Sequence, residues 1–186
     1  MQFATHFGGS GGELLRDMTA DAQGNIYVAG TSGSADIPVT PSDLPGQSKK
    51  DGAMVAKFSA DGKLIWSRHC GSDKDYFYSV KVDRAGCVFV AGRMGPGYST
   101  YIGGSGDDMA RACFVGADGT LYAGGVTTSR DFPVKDAYQA KYGGDPGYGS
   151  VPNNGKFPAG WGNGDCWLAK LRHLTNTGES TPAAGK

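Results

Sequence analysis

Apolar and polar residues alternate along this chain in short runs, and no stretch keeps a helical period. Phe3–Phe7, Ile65–His69 and Tyr98–Ile102 alternate with a period of two, as strands with one buried face do. Leu15–Ala20 and Asn25–Thr31 flank Asp21-Ala22-Gln23-Gly24, a turn in which Asp bonds its own backbone and Gly supplies a positive φ. The same hairpin recurs around Asp83-Arg84-Ala85-Gly86 and around Ala117-Asp118-Gly119. Another joins Met54–Ser59 to Lys63–His69 through Ala60-Asp61-Gly62. The pattern predicts about eleven strands and no amphipathic helix. Residues 173–186, polar and rich in Pro, Gly and Thr, are expected to form a disordered tail or linker.

The runs repeat. Gly8–Glu13 (GGSGGE) returns at Gly103–Asp108 (GGSGDD), 95 residues on. At the same separation Asp36-Ile37-Pro38-Val39 becomes Asp131-Phe132-Pro133-Val134, and Asn25–Gly30 becomes Thr120–Gly125. Three matches in one register make an internal repeat. A partial copy lies between: Cys70–Asp73 falls on Gly8–Gly11, and Gly86–Gly92 on Gly24–Gly30, at an offset of 62. The array spans residues 2–172, with repeats over approximately 2–62, 63–97 and 98–172. The middle copy lacks the Asp-x-Pro-Val stretch and the Ala-Lys strand that reads Ala53–Phe58 in copy one and Cys166–Leu171 in copy three. Copy three carries 18 extra residues before that strand, since Lys57 and Lys170 are 113 apart instead of 95.

Four short antiparallel strands per repeat is the pattern of a propeller blade. The expected fold is all-β, with about three propeller-like blades. A ring normally needs four to eight, so the array should be open or close by oligomerisation. Gly-Gly-Ser-Gly-x-acidic, Asp-x-x-Gly-Asn-Ile-Tyr-Val-Ala-Gly, Asp-Ile/Phe-Pro-Val and Ala-Lys-Phe/Leu, in fixed order, resemble the SBBP family of bacterial β-propeller repeats. The resemblance covers roughly residues 2–172. It implies an extracellular or cell-surface, non-enzymatic scaffold for binding protein or glycan. The alternative is a fragment of a propeller enzyme, a lyase or hydrolase, whose catalytic face lies in missing blades.

Composition narrows the classes further. Eighteen basic and eighteen acidic residues cancel and no long basic run occurs, which argues against nucleic acid and anionic membranes as partners. No apolar run is long enough for a membrane-spanning helix, and Met1–Ala4 shows no signal-peptide pattern. The 32 glycines punctuate strand-like runs, which indicates tight turns and not disorder. Four cysteines at 70, 87, 113 and 166 have neither disulfide-framework nor metal-ligand spacing. Cys113 and Cys166 read as small buried hydrophobes, and Cys70 and Cys87 as semi-exposed.

Chemistry is sparse. The GGSG motifs lack the helix and the Lys-Ser/Thr of a phosphate loop, so they read as turns. Glu13, Asp73, Asp75, Asp107 and Asp108 would make a carboxylate ring able to hold calcium if equivalent positions converged. Solvated turn carboxylates, or acceptors for nearby N–H groups, are the preferred reading, so no cofactor is assigned; Asp107 and Asp108 are the weak metal candidates. Asp36 and Asp131 read as turn caps, with Ile37 and Phe132 plugging between blades. His6, His69 and His173 share no repeat position and read as strand-edge or semi-buried residues. The insertion at 141–165 is the one feature the repeat does not explain. Its Tyr142, Tyr148 and Trp161, with Asp165, are the candidate binding residues for protein or carbohydrate. Open blade edges also invite self-association.

Overall fold

A computed structural model describes residues 2–40, 52–71, 75–93, 102–106, 108–143 and 164–171. Nine strands occur among them: β1 (Glu13–Ala20), β2 (Ile26–Ser32), β3 (Gly52–Phe58), β4 (Leu64–Cys70), β5 (Tyr76–Val82), β6 (Val88–Arg93), β7 (Asp108–Val115), β8 (Leu121–Thr127) and β9 (Asp165–Leu171). They form three antiparallel sheets in the orders β1-β2-β3-β4, β5-β6 and β7-β8-β9. None of the sheets closes on itself, and the fold is all-β, with the sheets as partial propeller blades.

Four turns share one geometry. The backbone N–H of Asp21, Ser59, Asp83 and Gly116 each donates to the carbonyl four residues on, and that same residue's carbonyl accepts from the N–H three residues on. The third-on residue is Gly24, Gly62, Gly86 or Gly119, with φ between 78° and 84°, which side chains rarely tolerate. Where Asp opens the turn, its Oδ1 takes two N–H groups, Gln23 and Asn25 from Asp21, Ala85 and Cys87 from Asp83. Where Gly116 opens it, Asp118 takes over and accepts from Thr120.

The first strand of each sheet carries a bulge at the same repeat position. Register shifts at Leu15/Asp17, Phe77/Ser79 and Ala110/Ala112 leave Arg16, Tyr78 and Arg111 as the extra residues. Opposite stand Gly30, Gly92 and Gly125, where a Cβ would strike the carbonyl oxygen of Leu14, Tyr76 or Met109. Glycine is needed there for close approach.

The core lies between sheets and on the outer face of sheet 1. Tyr27, Ala29, Ala53 and Val55 of sheet 1 form one cluster with Phe77 and Val80 of β5, flanked by Trp66. On the opposite face Val28, Ala56 and Phe58 pack with Phe7. Residues 33–40 close over that face: Ile37 is buried, the Ser67 hydroxyl donates to the Pro38 carbonyl, and Thr40 exchanges hydrogen bonds with the Ser67 backbone at 3.1 Å.

The strand expected at Phe3–Phe7 does not form, because it joins no sheet among the described residues; the segment lies on sheet 1 instead, with Phe7 edge-on to Phe58 at 5.2 Å. Ile102, the described end of the expected strand 98–102, is also non-strand. Sheet 2 has two strands among the described residues, one fewer than the repeat comparison implies. His69 is fully buried on β4, not semi-buried, because β4 has an outer face covered by the segment that follows β2. Cys113 is buried as expected, whereas Cys166 is exposed, since nothing among the described residues covers the face it occupies on sheet 3. The tail at 173–186 lies outside the described residues.

Candidate functional site

The repeated signature residues find one another. In copy one, the Ser10 N–H and hydroxyl both donate to Asp36 Oδ1, at 2.8 and 2.9 Å. The Gly11 N–H donates to Ser34 Oγ at 2.7 Å, and the Ser34 and Ser32 hydroxyls donate to Glu13 Oε1. Every member has a counterpart 95 residues on. Ser105 donates twice to Asp131 Oδ1, Gly106 N–H to Ser129 Oγ, and the Ser129 hydroxyl to Asp108 Oδ2. Ser129 N–H takes Thr127 Oγ1 at 2.9 Å, as Ser34 N–H takes Ser32 Oγ at 3.0 Å. The glycines admit this clasp: a Cβ at Gly9 or Gly104 would occupy the space of Asp36 with Ser34, or of Asp131 with Ser129.

Residues 2–38 match the family model of the SBBP beta-propeller repeat. Over these residues the chain is similar to one such repeat. No curated protein matches it. In the SBBP repeat the clasp ties the loop entering β1 to the Asp-x-Pro segment leaving β2, so the recurring acidic residues hold a blade's own loops together. Hydrogen bonds from the Ser10 backbone and then its hydroxyl lower the Asp36 pKa, and Ser105 does the same to Asp131.

This geometry revises several expectations. Asp36 and Asp131 cap a distant loop and not their own turn. Phe132 packs on Trp167 of its own sheet, ring centroids 5.4 Å apart, with Trp167 Nε1 donating to the Val126 carbonyl. Glu13 and Asp108 turn into their own repeats. Asp108 is buried and accepts the Gly104 N–H at 2.9 Å; Asp107 lies outside the described residues. Among the described residues no three His, Cys, Asp or Glu side chains gather closely enough to hold a metal ion.

A second repeated device joins neighbouring blades. Asp17 Oδ2 of sheet 1 accepts from Val80 N–H at 3.0 Å, Ser79 Oγ at 2.9 Å and Lys81 Nζ at 2.6 Å of sheet 2. Ser79, the counterpart of Asp17, accepts the Cys113 N–H of sheet 3 at 3.4 Å. Where the sheets converge, the three bulged residues stack: the Arg16 and Arg111 guanidiniums lie 5.4 and 4.4 Å from the centre of the Tyr78 ring. Sequence reading missed this stack, because the residue type changes between repeats; only the register of Gly30, Gly92 and Gly125 marks it. Ser34 and Ser129 were also missed, though the offset of 95 pairs them.

Of the binding candidates, Asp165 and Tyr142 come together. Asp165 Oδ2 accepts the Gly143 N–H at 2.6 Å and Gln139 Nε2 at 3.2 Å, which pins the root of the insertion to β9. Tyr142 is half-buried beside that anchor, and Tyr138 is fully exposed. Tyr148 and Trp161 lie outside the described residues. Asp165 therefore acts as the anchor of the loop.

Proposed function

We propose that the chain is a non-enzymatic beta-propeller scaffold that presents a binding surface for protein or glycan outside the cell or on its surface. The observation that supports this reading most is the fate of the recurring carboxylates. Glu13, Asp36, Asp108 and Asp131 each accept hydrogen bonds within their own repeat, which makes the repeated motif architecture. The feature left over is the loop that breaks the repeat pattern, rooted at Asp165 and carrying Tyr142, with the exposed Tyr138 just ahead of it. Tyrosines supply large, rigid contact area at little entropic cost, and loops on a rigid scaffold are where binding concentrates.

The test is retention of the full chain on immobilised polysaccharides and on a glycan array, comparing wild type with a Tyr138→Ala/Tyr142→Ala variant. Retention should fall at least about fivefold, a change of roughly 1 kcal/mol, while the thermal midpoint stays put. Equal retention by a folded variant would remove this loop as the binding surface.

A further inference from the structure

Repeat register assigns each residue of one sheet a counterpart in the next, and so states what each sheet face is built to meet. Tyr27, Ala29, Ala53 and Val55 of sheet 1 are buried against Phe77 and Val80 of sheet 2. Their counterparts in sheet 3 are Tyr122, Gly124, Cys166 and Leu168, at offsets of 95 and 113. Among the described residues nothing covers that face. Val55 is 8% exposed and Leu168 84%, while Phe114 on the same face is 60% exposed. At the other end of the array stands the complement. Leu15 and Met18 of β1 are the counterparts of Phe77 and Val80, and they are 50% and 55% exposed where Phe77 and Val80 are 4% and 0%. One end holds a face without its cover, and the other a cover without its face.

The strands tell the same story. Sheet 1 has four strands, whereas sheet 3 has three among the described residues, the last being β9. The counterpart of β4, offset by 62, is Gln2–Gly8, which joins no sheet of its own chain. It lies on the outer face of sheet 1 through Phe7 and Phe58, where the fourth strand of a preceding blade would stand.

We infer that two copies of this chain close into a six-blade ring. Each sheet 3 takes residues 2–8 of the second copy as its fourth strand, and the second copy's Leu15 and Met18 cover Leu168, Phe114 and Tyr122. Copying the pairs Ala53–Cys70, Val55–Arg68 and Lys57–Trp66 sets the register: Cys166 stands opposite Gly8, Leu168 opposite His6, and Lys170 opposite Ala4. Two copies supply six sheets, inside the closing range of four to eight, where one copy supplies three. Both junctions are identical and related by a two-fold axis.

Backbone groups agree with this arrangement. Sheet 3 has Ala112 where Asp17 and Ser79 offer an acceptor to the next sheet. The N–H that would need that acceptor, Met18, already donates to Asp17 Oδ1 at 2.8 Å. The Met18 N–H is therefore satisfied, but the closing junction lacks the carboxylate tie. It also brings Arg111 beside the second copy's Arg16 with no ring between them. The closing junctions are the weakest in the ring and open first on dilution.

Sedimentation equilibrium of the full chain from micromolar to millimolar concentration tests this, with labelling of exposed thiols at each point. Expected is a shift from the chain mass of 19.3 kDa to twice that value, with Cys166 losing reactivity in the dimer while Cys87, in a turn, keeps it. Leu168→Asp and Met18→Asp should each weaken dimerisation by roughly a hundredfold or more, since each buries an unpaired carboxylate. Mixing the two variants should restore one junction and hence an open dimer. Ala4→Pro/Thr5→Pro, in a segment outside any sheet of the monomer, should weaken it as well by removing a ladder N–H. A chain that stays at 19.3 kDa throughout overturns the inference, whether Cys166 is reactive or shielded. So does a dimer that Met18→Asp or the prolines leave intact, since that would be a contact between two copies of sheet 3 alone.

Discussion

Asp17→Ala removes one carboxylate that three groups of the neighbouring blade share. The side chain is 26% exposed and accepts from Val80 N–H, Ser79 Oγ and Lys81 Nζ. The Lys81 ammonium is 30% exposed and also donates to the Val80 carbonyl at 2.8 Å, so it recovers most of its loss from water; that ion pair contributes about 0.5–1 kcal/mol. Val80 is fully buried, and its N–H loses an acceptor at a cost of about 1–2 kcal/mol. The sum is about 1.5–3 kcal/mol, or a midpoint lower by roughly 3–12 °C for a chain of this size. Urea unfolding at fixed protein concentration measures it. The pH dependence adds a second check. Burial pushes the Asp17 pKa up, and the hydrogen bonds from Lys81, Val80 and Ser79 outweigh burial and bring it below its ordinary value. A carboxylate with a lowered folded pKa stabilises fully above the unfolded value of about 3.9 and loses that contribution as pH falls through the folded value. The gap between wild type and Asp17→Ala should therefore be full at neutral pH and narrow steadily below about pH 4. Asp17→Asn keeps an acceptor for Val80 and should lose less. A variant within about 0.5 kcal/mol of wild type at neutral pH, the range of ordinary surface changes, or a gap that persists in acid, would refute the Asp17 carboxylate as the tie between blades.

Gly30→Ala, Gly92→Ala and Gly125→Ala should each destabilise by about 3 kcal/mol or more, because the Cβ meets a backbone carbonyl across the bulge; Gly12→Ala, with open space around it, should stay within about 0.5 kcal/mol. Chemical denaturation of the four variants compares them directly. Ser34→Ala and Ser129→Ala should cost about 1–2 kcal/mol each, because each serine is buried, accepts a loop N–H and donates to a carboxylate; equality with wild type would mean the clasp contributes nothing. The pKa values of Asp36 and Asp131 are lowered by Ser10 and Ser105, so hydrogen-exchange protection of those two amides should be complete above the ordinary carboxylate range and fall as pH drops through the folded values. Protection that is unchanged in acid would separate the amides from the carboxylates.

The sequence by itself determined the unit: the offsets of 95 and 62, and the four turns with glycine at the positive-φ position together with the hairpins they close. These are local matters, since turn chemistry and face alternation act over a few residues and leave a mark wherever a unit recurs. It also placed Asp165 and Tyr142 in the odd loop, without showing that Asp165 is the loop's anchor. Tertiary structure alone decided where the carboxylates point. Asp36 looks like the cap of its own turn in one dimension, yet the loop 26 residues earlier lies closer in space and offers two donors. Burial followed the same rule. Val55 and Leu168 occupy one repeat position, as do Ala53 and Cys166, and nothing in either residue says that one member is buried against a neighbouring blade while the other is exposed. A side chain's exposure is a property of what stands opposite it, and for a stacked array that is set by the number of units and their order, not by the unit's own residues.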